Sequence, residues 1–194
     1  MIKRNSITKL FFKYVLLNSP SIFIENKLFG LQNTTVVLTK KNFLYTILHL
    51  TLTSTMKNVQ LVDMFAYEIP QNNLNYKQSS NIIVYNFSSL QEEKKYYLFV
   101  EQTSNITNSL NNNKNNYWIN TIENYYSAAN WLEREISEFY NITFQHKKDV
   151  RNLMLQYGDF TAPMLKSYPT VGLKEYYFNV LNQVITQNYL ELTN

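Results

Sequence analysis

Between residues 59 and 102 the chain carries three short apolar runs, VQLVDMFAYE (Val59–Glu68), NIIVYNF (Asn81–Phe87) and KKYYLFVEQ (Lys94–Gln102), set apart by polar segments rich in Asn, Ser and Gln. β-branched and aromatic residues crowd these runs, and such side chains fit the pleated, half-buried surface of a sheet. The segment SSLQEE between the second and third runs is short enough for a hairpin, whereas Pro70–Ser80 reads as a longer polar loop. Upstream, TTVVL (Thr34–Leu38) reads as another strand. Thr39 then offers an N-cap oxygen to a helix through KKNFLYTILHLTLTS, where Phe43, Leu44, Ile47 and Leu48 share one face. The order predicts an α+β fold, a small mixed or antiparallel sheet with helices packed on it.

A chain of 194 residues is long enough for one domain that buries roughly 70% of its unfolded surface. The run TSNITNSLNNNKNNY (Thr103–Tyr117) is Asn-rich with little to bury, and predicts an exposed loop. WINTIENYYSAANWLEREISEFY returns to a helical pattern, read as two short helices parted near Ser127, a candidate N-cap. From Gly158 onward, Pro163, Pro169 and Gly172 follow too closely for a long helix. That pattern predicts a long extended C-terminal tail. Its Phe160, Met164, Leu165, Tyr168, Tyr176, Tyr177 and Phe178 need another surface to lie on. The expected division is a core domain over 1–145, with the Asn-rich loop at about 103–117, and a tail over 146–194 that wraps a partner. The basic, amphipathic start MIKRNSITKLFFKYVLL predicts an N-terminal helix. Its apolar part, Phe11–Leu17, is interrupted by Lys13 and far shorter than the roughly 20 residues a membrane span requires.

Composition removes several kinds of chemistry. There are no cysteines, so thiolate zinc sites, iron-sulphur ligation by thiolates and a cysteine nucleophile are excluded. The 3 glycines, Gly30, Gly158 and Gly172, are too scattered for a phosphate-cradling loop. The two histidines, His49 and His146, lie far apart and lack the spacing of a zinc hydrolase. A net charge of +4 admits an RNA-binding or ribosomal role as the alternative reading. Only 16% of residues are charged, however, and the pairs Lys40-Lys41, Lys94-Lys95 and Lys147-Lys148 are dispersed rather than gathered in a stripe. No nucleic-acid partner is expected. The bias toward Asn, Tyr, Phe, Ile and Lys resembles translation from an AT-rich genome, as many organelle genomes are.

The densest charges fall in WLEREISEFYNITFQHKKDVRNLMLQYG (Trp131–Gly158). On a helical wheel Leu132, Ile136, Phe139 and Tyr140 share one face, while Arg134 and Ser137 point away and Glu133 lies near the edge. Glu135 falls between Trp131 and Phe139, on the apolar side, where a carboxylate requires a cationic or N–H partner. Arg151 and Arg134 are the candidate partners, with Asp149 either pairing Arg134 or capping the turn that carries Arg151. The stretch supplies acids without a pocket signal, so a structural charge network is expected rather than a catalytic one.

The order ANWLERE, Asp149-Val150-Arg151, Tyr157-Gly158, Pro163, Lys166, Tyr168-Pro169, Gly172 and Glu175 resembles the 30 kDa subunit family of respiratory complex I, NADH:ubiquinone oxidoreductase, without a gap from Ala129 to about Glu175. The family's pattern runs ERE, DMFG, HPDLRR, DYGF, HPLRKDFP, then a glycine followed three residues later by glutamate. Departures are local. Glu138-Phe139-Tyr140-Asn141 stand for DMFG, Lys147-Lys148 for HP with His146 one place early, and Asn152 for the second arginine of LRR; Leu165 and Lys166 stand at the arginine and lysine of HPLRKDFP. The resemblance implies an organelle-encoded scaffold subunit of the peripheral arm on the matrix side of the mitochondrial inner membrane, packed against the 49 kDa subunit and other peripheral-arm subunits, with no membrane span. It implies no catalytic residue and no cofactor in this chain, since NADH, FMN, iron-sulphur clusters and ubiquinone are bound by other subunits. The roles implied are structural. Glu133, Arg134 and Glu135 orient the helix, Asp149 and Arg151 pair with them, and Pro163, Pro169 and Gly172 fix the course of the tail; Tyr157, Gly158, Lys166 and Glu175 complete the pattern.

Overall fold

The computed structural model describes residues 22–28, 31–38, 40–52, 59–70, 79–89, 94–103, 118–158 and 161–190. Its centre is a five-stranded sheet of β1 (Ile22–Leu28), β2 (Leu31–Leu38), β3 (Val59–Pro70), β4 (Ser79–Ser89) and β5 (Lys94–Thr103) in the order β1-β2-β5-β4-β3. Neighbours are antiparallel except β2 and β5, which run parallel, so the sheet is mixed. The connection from β2 passes through helix α1 (Lys40–Leu52). The α+β class read from the sequence is the one observed. Strand β1 was not anticipated, because Glu25-Asn26-Lys27 in its middle masks the apolar pattern. The expected N-terminal helix, the N-cap at Thr39 and most of the Asn-rich loop lie outside the described residues.

Period-2 alternation sends Ile83, Tyr85 and Phe87 of β4, and Tyr96, Leu98 and Val100 of β5, to one face, where all six are fully buried. Strand β3 contributes Val59 and Leu61, then Met64 and Ala66. The change from odd to even positions is made by an irregularity of register between Leu61 and Asp63, since one extra residue in a strand exchanges its two faces. Phe43, Ile47 and Leu50 of α1, at helical spacing, cover that face. Burial of each such side chain contributes about 1.5–3 kcal/mol.

The second helix, α2 (Ala129–Tyr140), joins the same cluster through Ala129 and Ile136, with Leu132 and Tyr140 packed at its margin, so both helices lie on one face of the sheet. Residues 118–128 are not the first of two helices, as the sequence suggested. Ile119–Asn120 form a short strand, β6, paired in parallel with β7 (Phe144–Gln145), and turns follow up to Ala128. Ile119 and Ile122 are buried in the core. Ala128, not Ser127, occupies the N-cap, without a side-chain cap bond.

Beyond residue 161 the chain is not the wholly extended tail expected. A series of turns leads to an antiparallel hairpin of β8 (Lys174–Asn179) and β9 (Val184–Tyr189), because β-branched and aromatic residues recur on both sides of a four-residue connection. Its large apolar side chains are exposed, among them Tyr176, Phe178, Ile185 and Tyr189.

One core residue carries a testable cost. Tyr85 is completely buried against the ring of Phe43, with centroids 4.6 Å apart, and its hydroxyl has no partner among the described residues. An unpaired buried hydroxyl destabilises, so Tyr85→Phe is expected to be neutral or to stabilise by about 1 kcal/mol in urea unfolding. A loss of more than that would show the hydroxyl to be bonded.

Candidate functional site

The short parallel pair β6 and β7, extended by the 3.0 Å bond from Thr121 N to the Gln145 carbonyl, brings two loops side by side along α2. Thr121–Glu123 follow β6. Lys147 follows β7 after His146, whose φ of 64° turns the chain in the left-handed region, where histidine is among the enriched residues. The imidazole itself is exposed. Between these loops sits Glu133, with no exposed surface. Its carboxylate accepts hydrogen bonds from Thr121 Oγ1 at 2.6 Å, the Ile122 amide at 2.9 Å and Lys147 Nζ at 3.1 Å.

Lys147 is almost equally enclosed, its side chain only 2% exposed. An ammonium has three donors. Here three oxygens meet it: Glu133 Oε2, Glu123 Oε2 at 3.3 Å and Asn130 Oδ1 at 3.4 Å. Burial raises the Glu133 pKa above the ordinary glutamate value, opposed by the Thr121 and Ile122 bonds and by Lys147.

On the other flank of α2, Arg134 and Glu138 stand one helical turn apart and grip one loop by complementary groups. Arg134 is buried; it donates from Nε to the Arg151 carbonyl at 2.8 Å, from Nη2 to the Asn152 carbonyl at 3.1 Å and from Nη1 to Asp149 Oδ2 at 3.4 Å. Glu138 accepts the amides of Leu153, Met154 at 2.9 Å and Leu155 at 3.0 Å. Loop carbonyls thus face a cation and loop amides an anion. Asn141 ends the helix in the left-handed conformation, φ 52° and ψ 42°, which asparagine tolerates at a C-cap.

Asp149 holds Arg151 from both sides, accepting its amide at 3.1 Å, its Nε at 3.0 Å and its Nη2 at 2.8 Å. These bonds, first the side-chain one, hold the Asp149 carboxyl well below the usual range and raise the Arg151 pKa. Arg151 therefore turns to Asp149 and not to Glu135. The helical wheel placed Glu135 on an apolar face bounded by Trp131, but Trp131 is 63% exposed and Glu135 half-exposed, without a hydrogen bond or ion pair among the described residues. It placed Arg134 away from the interior, whereas residues 149–152 cover that side of the helix. The buried acid is Glu133.

The remaining motif positions trace the course of the chain. Tyr157 and Gly158 are exposed, Gly158 at φ 85°; Pro163 and Pro169 are half-buried within turns. Met164 N donates to the Phe139 carbonyl at 3.2 Å, and Lys166 N to Glu68 Oε2 on β3 at 2.7 Å, tying this segment to the end of α2 and the edge of the sheet. Gly172, at φ 90°, donates its amide to the Pro169 carbonyl at 3.1 Å, and Glu175 lies exposed in β8 opposite Asn188. Sequence reasoning missed Lys147, read only as a departure from the family pattern, together with Thr121, Glu123, Asn130 and Glu138. The one signal available was the i, i+4 spacing of Arg134 and Glu138 on the helix.

A cleft of about 120 Å³ lies between the end of α2 and the loops, lined by Ser137, Glu138, Asn141, Asn152, Leu155, Thr161 and Ala162. Its one carboxylate, Glu138, accepts three loop amides, one on Oε1 and two on Oε2. Glu133, Arg134, Glu138 and Lys147 hold backbone or one another, while Glu135 stays at the surface.

Two outcomes follow. Lys147→Met leaves Glu133 buried without its cation and is expected to cost about 3–5 kcal/mol in urea unfolding, most of which the double change Glu133→Gln with Lys147→Met restores; a loss under 0.5 kcal/mol would refute the pairing. The two perturbed carboxylates carry opposite pH signatures. Glu133, raised on folding, contributes stability below its unfolded pKa that is lost as pH rises through the folded value, so the advantage of the native protein over Glu133→Gln shrinks as pH rises past the ordinary glutamate range. Asp149, lowered on folding, contributes stability above its unfolded pKa, so Asp149→Asn is weakened at neutral pH and approaches the native protein only in strong acid. Unfolding curves across this range read both.

Comparison with known proteins follows the same residues. Residues 36–174 match the family described as respiratory-chain NADH dehydrogenase, 30 Kd subunit. NADH-ubiquinone oxidoreductase subunit 9 of Paramecium primaurelia is 51% identical over 59 residues, 30% of this chain and 28% of that protein. Its namesake in Dictyostelium citrinum is 33% identical over 79 residues, 41% of this chain and 38% of that protein. The matched segments thus span less than half the length of these relatives. A chain of the membrane-bound sulfane sulfur reductase, an archaeal respiratory membrane complex, superposes with a TM-score of 0.60 over 84% of this chain and 86% of that chain, at 12% identity, a likeness of fold alone. With the family pattern matched through β2–β5, the charged helix and the loops it grips, this chain belongs to the 30 kDa subunit family of the respiratory-chain NADH dehydrogenase.

Proposed function

We propose that the chain is a scaffold subunit of the peripheral arm of NADH:ubiquinone oxidoreductase, supporting electron transfer from NADH to ubiquinone without an active site or cofactor of its own. The observation that carries this reading is how the matched motif uses its charges. Glu133, Arg134, Glu138 and Lys147 all hold backbone or one another, and the motif thereby shapes a surface. The reading places the chain on the matrix side of the mitochondrial inner membrane, next to the 49 kDa subunit and other subunits of the arm. No helix among the described residues is long and apolar enough to cross a membrane, in keeping with peripheral attachment.

Native-gel migration of the tagged chain tests this directly: it is expected in a megadalton-scale assembly that oxidises NADH, and migration with a ribosome or as a free monomer refutes it. Within the assembly, Arg134→Met is expected to cost about 3 kcal/mol of stability and lower the amount of assembled complex several-fold, with turnover per assembled complex unchanged. Normal assembly with abolished turnover would require a catalytic role instead.

A further inference from the structure

The loop that Arg134 and Glu138 fix directs a different set of side chains outward. Val150 is 77% exposed, Met154 63%, Tyr157 72% and Arg151 73% at its side chain. Trp131, 63% exposed, precedes Arg134 and Glu138 on the same helix face at i, i+3 and i+7. Large apolar side chains are usually withdrawn from solvent where the backbone is free to rearrange. Here the backbone is not free, because two carbonyls and three amides of residues 151–155 are bonded to the helix.

Tryptophan, tyrosine and arginine are the residues that dominate binding energy at protein interfaces, and a preformed loop lowers the ordering cost of association. Within residues 146–158 the one carboxylate, Asp149, is already engaged by Arg134 and Arg151, while exposed Lys148 has no carboxylate partner among the described residues. The Arg151 charge is met by Asp149, whereas Lys148 stands unpaired among the described residues beside exposed apolar side chains, a combination that complements a surface offering a carboxylate at the edge of an apolar recess. With so few cations, a lipid headgroup layer or a nucleic-acid backbone is a poorer match.

We infer that Trp131, Lys148, Val150, Arg151, Met154 and Tyr157 form a preorganised docking platform for an adjoining protein subunit that presents an apolar recess with a carboxylate at its edge to meet Lys148. The inference rests on the reading of the chain as a subunit of a larger assembly, and deepens it by naming the face that meets a neighbour.

Because the chain has no cysteine, a single introduced thiol reports one position. Tyr157→Cys and, as a control on the exposed turn before α2, Ser127→Cys are labelled with a maleimide in the purified full chain and in the native assembly. The thiol at 157 is expected to react at least tenfold more slowly in the assembly, relative to the control. In parallel, zero-length carbodiimide coupling is expected to join Lys148 to another polypeptide of the assembly, a product lost in Lys148→Arg. Equal labelling at 157 in both states overturns the platform, as does photo-cross-linking from position 157 to lipid or RNA instead of protein. Failure of the native chain to enter an NADH-oxidising assembly is a separate result that refutes the functional reading. Protection at 157 within whatever assembly is then found still bears on the platform.

Discussion

A carboxylate with no contact with water organises the second half of this protein. Enclosing Glu133 costs several kcal/mol of solvation, which only nearby donors can offset. The fold meets that demand by bringing three to one point: the Thr121 hydroxyl and Ile122 amide after β6, and the Lys147 ammonium after β7. Those donors arrive from segments 25 residues apart in sequence, which the pairing of β6 with β7 holds together. The charge on one helix residue therefore constrains two loops and the strand pair between them, and through α2 it fixes them to the sheet.

This arrangement gives α2 three distinct surroundings on a helix of 12 residues. One side joins the apolar core through Ala129 and Ile136, one holds the Glu133–Lys147 cluster, and one grips residues 149–155 through Arg134 and Glu138. Departures from the family pattern are intelligible in these terms. Asn141 stands where the pattern has glycine, at a left-handed position that asparagine tolerates. Glu138 stands where it has aspartate and still reaches three amides. Lys147 stands at the pattern's histidine, and its three donors meet three oxygens. Each substitute meets its local geometric demand by a different side chain.

The parts of the fold legible in the sequence were those that repeat a period over many residues. Strands β3, β4 and β5 and helix α1 follow from alternation and helical spacing alone. What escaped was set by contacts distant in sequence. The two-residue strands β6 and β7 are too short to carry a period, and β1 hides behind Glu25-Asn26-Lys27. The helical wheel failed on Arg134 and Glu135 because it assumes one dry side and one wet side. A loop lying 15–18 residues downstream created a second enclosed side, and nothing in the local pattern of α2 records it. The wheel did put Glu133 at the boundary of the apolar face. Whether a boundary acid is solvated or enclosed depends on what the chain lays over it, here the turn at Thr121–Glu123.

The distribution of charge and aromatic area around the 149–157 loop bears on why so much polar bonding surrounds one short segment. A loop stabilised for its own sake would turn Val150, Met154 and Tyr157 inward, where burying each would contribute to folding. Here the bonds from residues 151–155 to the helix are made by backbone groups, Leu153 and Leu155 are only half-buried, and Val150, Met154 and Tyr157 remain in solvent. Enclosing ionic groups to fix that backbone gives a smaller return than apolar packing, because the desolvation they require offsets much of their attraction. The gain lies in conformation: the side chains on the outer surface are presented in one geometry before any partner arrives, and the ordering term that would oppose association has already been met during folding.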